Sequence, residues 1–497
     1  MHANFHDPAA TAFPGDAAAS AVPSATEPAR SSRGRLQILM SPYYGGSDFS
    51  MLEHGPARRI DRTSIADLLR NAFVYPPHSV YEDVKVVTYG FSPAQDMHGR
   101  PEFHYRFRDA DKNRRARRDG LDWVGQYHRL LCAALARSCH EIRMPWLLQS
   151  GGKDSTPLAI AASEVRPETT CITYLGGTEE NEVASASFVA RKLGLRHETL
   201  VCDPARAYDR YLAIVPRMPL LTADFALLSY VDLVTQIARA GGDGVIDGMG
   251  SDSYFGLSVD RTHRMLSTLA RGWRLPAFLG TLPLVERNFA LCYVLATLQM
   301  ERIERAFPGS RFTDAEVDEL FGSDISARSR QRLDLYQEEL ASAHTVDEWF
   351  AIAMSLAGSA GGFAKGLLSS SALSMRPAYP FCDNELRDWV YREVPRELLV
   401  DPITKANKVL VREHIATRFD ELPYVARKGS FRFDLCGLAR TRFELVHDLS
   451  THVRHILPGA TQWLERNRGR LDNKYHASKF YLLAVVMPWL EHHGSGG

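Results

Sequence analysis

Met144-Pro145-Trp146-Leu147-Leu148-Gln149-Ser150-Gly151-Gly152-Lys153-Asp154-Ser155-Thr156 runs from an apolar, strand-like segment into a Gly-rich turn, then into a helix-like run that continues to Ala162. A strand, such a turn and a helix start make an anion site. Adjacent glycines let the backbone fold around phosphate oxygens, successive N–H groups form a donor nest, and the positive end of the helix dipole points into it. Ser150 and Ser155 add hydroxyl donors. Asp154 is an unexpected residue beside an anion, and its carboxylate makes sense there if it holds a metal ion that bridges phosphates. The common Gly-x-x-x-x-Gly-Lys-Ser/Thr loop is absent, so γ-phosphate transfer is not indicated. The shorter grip fits an enzyme that holds pyrophosphate as a leaving group and exposes the α-phosphorus to attack.

Upstream of this stretch, an amphipathic helix is expected over Trp123 to His140. Downstream, a strand over Cys171 to Leu175, helices over Val183 to Leu193 and Thr222 to Ala240, and a strand at Val245-Ile246 follow in alternation. That order specifies an α/β fold, a mostly parallel sheet with helices on both faces. From Phe255 the pattern turns helical, with Leu284 to Phe307 and Val346 to Ala357 as long stretches, and Phe480 to Leu490 reads as a buried helix despite Pro488.

Met1 to about Ser32 is rich in Ala, Pro and Ser and is expected to be disordered. A small α+β piece follows: a strand over Leu36 to Met40, a helix over Ser64 to Phe73 with Thr63 or Ser64 as N-cap, and strands over Val84 to Tyr89 and Phe103 to Phe107 joined through His98-Gly99-Arg100. The basic run from Lys112 to Arg118 reads as a solvated linker. The expected divisions are a tail over 1–34, the small piece over 35–118, and the α/β domain with its helical C-terminal half over 119–497.

The chain has 497 residues, 45% of them hydrophobic, and its 59 basic residues balance 59 acidic ones. No overall field therefore favours nucleic acid. No apolar run is long enough to span a membrane and the N-terminus lacks the pattern of a secretion signal, so a cytoplasmic protein is expected. Seven scattered cysteines without a Cys-x-x-Cys pair suggest reduced thiols and no zinc or disulfide frame.

A second turn, Asp247-Gly248-Met249-Gly250-Ser251-Asp252, follows the Val245-Ile246 strand. Parallel neighbours would bring it to the same sheet edge as the first loop. Asp154 and Asp252 would then share one Mg²⁺, each giving a single carboxylate.

With these motifs in place the chain resembles the asparagine synthetase family, the amide-forming branch of the PP-loop ATP pyrophosphatases. The family's Ser-Gly-Gly-x-Asp-Ser stands as Ser150 to Ser155, its Leu-Gly-x-x-His as Leu193 to His197, and its Gly-Glu-Gly-Ala/Ser-Asp-Glu as Gly248 to Ser253. Pro-Phe-Leu-Asp appears as Pro380-Phe381-Cys382-Asp383, Lys-x-x-Leu-Arg as Lys408 to Arg412, and Lys-Gln-Gly-Phe as Lys428-Gly429-Ser430-Phe431. The resemblance runs from about Trp123 to Phe431.

The resemblance implies that Ser150, Gly151, Gly152, Asp154 and Ser155 grip the pyrophosphate of ATP, and that Asp154 and Asp252 hold Mg²⁺. Leu148, Leu175 and Gly248 would line the adenosine pocket, and Lys428 would stabilise the α-phosphoryl charge as a carboxylate attacks. It also implies that 35–118 is the remnant of a glutaminase-like domain. The family's nucleophile there is a cysteine at position 2, where this chain has His2, so no glutaminase activity is expected.

Met249 stands where asparagine synthetases carry Glu and β-lactam synthetases carry Tyr; Ser253 replaces an acidic residue, and Arg376 and Ala378 replace Glu and Arg. The implied activity is an amide-forming, acyl-adenylate ligase whose acceptor half is altered. Lasso-peptide macrolactam cyclases resemble it in lacking a working glutaminase, which would bring in a precursor peptide and a protease partner. β-Lactam synthesis, and tRNA-modifying enzymes that share the first loop, fit less well.

Overall fold

The computed structural model describes residues 36–40, 58–88, 90–95, 101–106, 120–176, 182–256, 288–300, 304–306, 311–343, 346–423 and 433–494. The chain divides into Met1–Arg35, outside the described residues, and Leu36–Gly497. The tail over 1–34, the basic run from Lys112 to Arg118, the His98-Gly99-Arg100 turn, Lys428 and part of the Leu284 to Phe307 stretch also lie outside them.

In chain order the elements that position the site are β1 (Gln37–Met40), α1 (Arg62–Asn71), β2 (Val84–Val87), β3 (Phe91–Gln95), β4 (Pro101–Tyr105), α2 (Trp123–Ser138), β5 (Pro145–Leu148), α3 (Ser155–Val165), β6 (Thr170–Leu175), α4 (Glu182–Lys192), β7 (Arg196–Val201), α5 (Pro204–Ile214), α6 (Leu227–Arg239), β8 (Gly244–Ile246), α7 (Ser251–Tyr254) and β9 (Arg376–Ala378). The main sheet has the order β7-β6-β5-β8-β9, and every pairing in it is parallel. This is the α/β fold with a parallel PP-loop sheet and a helical C-terminal half. β5, β6 and β8 are apolar and buried almost throughout, as strands covered on both faces must be, whereas edge strand β7 exposes Arg196 and Glu198.

The small N-terminal piece is built differently from its expected pairing. Its second strand pairs in parallel with β1, and the hairpin forms instead between β3 and β4, antiparallel, with Phe91 opposite Tyr105. The local pattern marked the apolar runs but could not choose their partners, because pairing depends on which face each strand buries. α1 starts earlier than expected: Asp61 is its N-cap, and its carboxylate accepts from the N–H groups of Thr63 and Ser64. α6 begins at Leu227 rather than Thr222, since Asp224 accepts from the Ala226 N–H in a turn that precedes the helix.

Ile65, Leu68 and Leu69 of α1 are fully buried in the same core as Phe480 to Leu490 of the helix Lys474–His493. Polar ties hold α1 to other segments: Arg332 donates to Asp67 at 2.6 Å and also pairs with Asp61, while Arg70 pairs with Glu304 and donates to Asp314 at 3.1 Å. Among the described residues no helix is long and apolar enough to cross a membrane.

Candidate functional site

β5 and β8 are neighbours in register, with Leu147 opposite Ile246, so the turns that follow them leave the same sheet edge. Ligands bind at that edge in parallel sheets, beyond the C-terminal strand ends. The first turn is held by short internal bonds: the Ser150 N–H donates to Ser155 Oγ at 3.2 Å, and Thr156 Oγ1 donates to the Gly152 carbonyl at 2.8 Å. Gly151 has φ of 63°, and a Cβ there would sit 2.8 Å from the Glu182 carbonyl oxygen. Only glycine satisfies both conditions, which fixes the tight turn.

Asp154 occupies the N-cap position of α3 in helical conformation, yet its side chain caps nothing. Its carboxylate turns instead toward the second loop, where Ser251 Oγ donates to Asp154 Oδ1 at 2.9 Å. Gly248 passes over the Asp154 backbone so closely that a Cβ would lie 3.4 Å from it. Gly250, with φ of 96°, turns the chain back into α7, and a side chain there would meet Cys382 Sγ at 3.0 Å and Phe381. The Pro380-Phe381-Cys382-Asp383 motif thus braces the second loop from behind.

Lys408 completes the arrangement. Its side chain is 1% exposed, and its ammonium pairs with Asp154 Oδ1 and, at 2.5 Å, with Asp252 Oδ1. It stands in the left-handed region, φ 58°, at the start of the helix Val409–Ala416, with its N–H on the Leu399 carbonyl at 2.6 Å. Beside it, Lys153 Nζ donates to Asn407 Oδ1 at 3.0 Å, joining the first loop to the same segment. Two carboxylates from distant parts of the chain therefore converge on one positive charge. Asp252 remains more than half exposed, so the point of convergence faces solvent on one side.

Of the residues expected to contact nucleotide, Ser150, Gly151, Gly152, Asp154 and Ser155 form the turn after β5, and Leu148 ends that strand half-buried. Leu175 ends β6, the strand next to β5, and Gly248 lies in the turn after β8 on the other side. All stand along one edge. Lys428 is outside the described residues.

Several contributors were not assigned a role from the sequence. Lys408 was legible only as the first residue of a motif, and Ser251 only as a turn residue. Asp247 is set by Tyr230, whose hydroxyl donates to Asp247 Oδ2 at 3.0 Å, and by the Met249 N–H at 3.1 Å. Burial, and after it the Asp247 charge, hold the Tyr230 phenol well above its ordinary pKa, so it stays a neutral donor. Met249 lies against the π-helical segment Gly358–Phe363: a Cβ on Gly362 would come within 2.6 Å of Met249 Cε. Lys365 follows that segment and pairs with Asp224 at 3.7 Å.

The residues present fit a divalent cation and a polyphosphate. The carboxylate pair already balances a buried ammonium, and hard oxygen donors are what Mg²⁺ takes.

None of the curated proteins matches the chain. Among solved structures, an NMN synthetase from Francisella tularensis is similar at 19% identity over 44% of this chain and 94% of that one, with a TM-score of only 0.20. The family described as asparagine synthase matches residues 127–476, most of the chain. On that match the chain belongs to the asparagine synthase family, and so to the ATP-using enzymes of ligase type.

Proposed function

We propose that this protein is an AMP-forming carbon–nitrogen ligase: it activates a carboxylate as an acyl-adenylate and transfers the acyl group to an amine or ammonia. The observation that carries the reading is the convergence of Asp154 and Asp252 on a single cation position beside the turn Ser150–Ser155. In the first half-reaction a substrate carboxylate oxygen attacks the α-phosphorus of ATP, and the bond from that phosphorus to pyrophosphate breaks. In the second, the nitrogen attacks the acyl carbon, AMP leaves with the bonding electrons, and the nitrogen gives up a proton.

Ser150, Gly151, Gly152 and Ser155 would grip the pyrophosphate, and Leu148, Leu175 and Gly248 would flank the adenosine. Asp154 and Asp252 would hold Mg²⁺, whose charge offsets that of the phosphates. Lys428 would oppose the charge that grows on the α-phosphoryl oxygens, an effect whose loss typically costs about a hundredfold or more in rate. The same reading includes no release of ammonia from glutamine.

On the acceptor side, Met249 packed against Gly362 favours a second, narrower reading, a macrolactam cyclase acting on a precursor peptide. A thioether cannot take a proton at neutral pH, whereas a peptide N-terminal amine, with a pKa of about 8, needs less help than an ordinary alkylamine. Asp224, held beside this segment by Lys365, is the carboxylate proposed to receive the proton.

The test is ATP–pyrophosphate exchange with amino acids, other carboxylic acids and acidic peptides. Acid-dependent exchange supports the reading. A protein that binds ATP yet exchanges with no acid or peptide would be a nucleotide-binding relic, and the proposal would fall.

A further inference from the structure

On the flank of the sheet, away from the two loops, α2, α3 and the helix Val409–Ala416 bring together a set of side chains that the ligase reading does not use. His128 and Cys132 stand one turn apart on the same face of α2. Glu164 reaches them from the last turn of α3. His128 Nε2 is 2.9 Å from Glu164 Oε2 and 3.7 Å from Cys132 Sγ, and one ligand atom from each of the three residues lies within 4.8 Å of the other two.

We propose that His128, Cys132 and Glu164 form a binding site for a divalent transition metal ion, zinc by preference. With Zn–N and Zn–O bonds of about 2.0–2.1 Å and Zn–S of about 2.3 Å, tetrahedral ligand atoms stand about 3.4 Å (N to O) and about 3.6 Å (N to S) apart. The N-to-S separation of 3.7 Å already matches, and the N-to-O separation of 2.9 Å must open by about 0.5 Å, which side-chain rotation supplies. One nitrogen, one thiolate sulfur and one carboxylate oxygen suit zinc and disfavour magnesium or calcium, which take oxygen. Three protein ligands leave a fourth position for water.

A partner for the ligand histidine is also in place. His414 Nε2 lies 3.0 Å from His128 Nδ1, and the two rings stack with centroids 5.2 Å apart. An Nδ1–H of His128 donating to His414 leaves the Nε2 lone pair directed at the ion, the arrangement that fixes the tautomer of metal-binding histidines. Arg418 occupies the other oxygen of Glu164, at 2.6 Å, and leaves Oε2 for the metal. Binding requires His128 to carry its hydrogen on Nδ1 and the Cys132 thiol to release its proton to solvent, because the ligand atoms must be deprotonated. The scattered cysteines gave no sign of this, because Glu164 comes from a second helix, far along the chain from His128 and Cys132.

An ion here would pin the end of α3 to α2 and, through His414, the helix that starts at Lys408. The site is chemically separate from the Asp154–Asp252 pair and stands or falls independently of the ligase reading. The full chain, equilibrated with Zn²⁺ and dialysed, should retain about one zinc per chain. With Co²⁺ in its place, a thiolate-to-cobalt charge-transfer band should appear, which an all-oxygen site at Asp154 and Asp252 cannot produce. Cys132→Ser should abolish the band and zinc retention, and His414→Gln should weaken the metal about 10–100-fold while keeping the band. No zinc retained by the unsubstituted chain, no thiolate band with Co²⁺, or an undiminished band in Cys132→Ser would each overturn the site.

Discussion

Lys408 Nζ lies 2.5 Å from Asp252 Oδ1 and also pairs with Asp154 Oδ1, so a single buried ammonium joins the two loops that follow neighbouring strands. Two carboxylates near each other need a counter-charge, and Lys408 supplies one. This pairing makes the proposed sharing of a divalent cation by the two aspartates testable apart from any substrate.

Replacing Lys408 with Asn keeps a side chain that tolerates φ of 58° but removes the charge. The expected loss of stability is about 1–3 kcal/mol, below that of a fully buried pair because Asp252 is partly solvated. Calorimetric melts with and without Mg²⁺ read it: Mg²⁺ should recover more of the loss in the variant than it adds to the unsubstituted protein. An equal effect of Mg²⁺ on both would mean that the aspartates do not share a cation.

Asp252→Asn should leave the fold intact at a cost of about 1 kcal/mol, because Asp252 is more than half exposed and Asp154 still balances the buried Lys408 ammonium. Pyrophosphate exchange should drop about a hundredfold or more. Unchanged exchange would remove Asp252 from the chemistry.

Gly151→Ala combines a left-handed backbone with a Cβ 2.8 Å from the Glu182 carbonyl oxygen. The conformational part alone costs about 1–2 kcal/mol, and relief of the contact must move the turn. Denaturant melts should show that loss together with ATP binding weakened about tenfold or more, as one lost or misaligned charge-assisted contact of about 1.4 kcal/mol predicts. Normal nucleotide affinity would show that the turn does not grip phosphate.

His476 provides a pH test. Burial first, then the Lys479 charge, lowers its pKa from 6.5 to about 4, and neither ring nitrogen has a hydrogen-bond partner among the described residues. The unfolded chain then binds a proton that the folded one refuses between those values. Its contribution is complete above pH 6.5 and is lost as pH falls toward about 4, with a limiting slope of about 1.4 kcal/mol per pH unit. His476→Gln should flatten the stability curve over that window in urea titrations, whatever its offset; parallel curves would contradict the shift.

Much of the fold was legible because periodicity and turn chemistry are local. The apolar run ending at Leu148, the glycines after it, and the helix Val346–Ala357 could be placed from neighbouring residues alone. The strand pairing of the N-terminal piece and the Asp61 cap could not, since the first depends on distant partners and the second on competition among adjacent polar residues.

For the candidate site, the sequence by itself determined the two loops, their glycines and the aspartates within them, because a tight turn constrains its own residues. Tertiary structure alone decided that Lys408 lies between those aspartates, that Ser251 donates to Asp154, and that His128, Cys132 and Glu164 meet on the flank. The physical reason is the same in each case. A charge or ligand pair acts through distance in space, and separation along the chain carries no record of that distance until the strands and helices have packed.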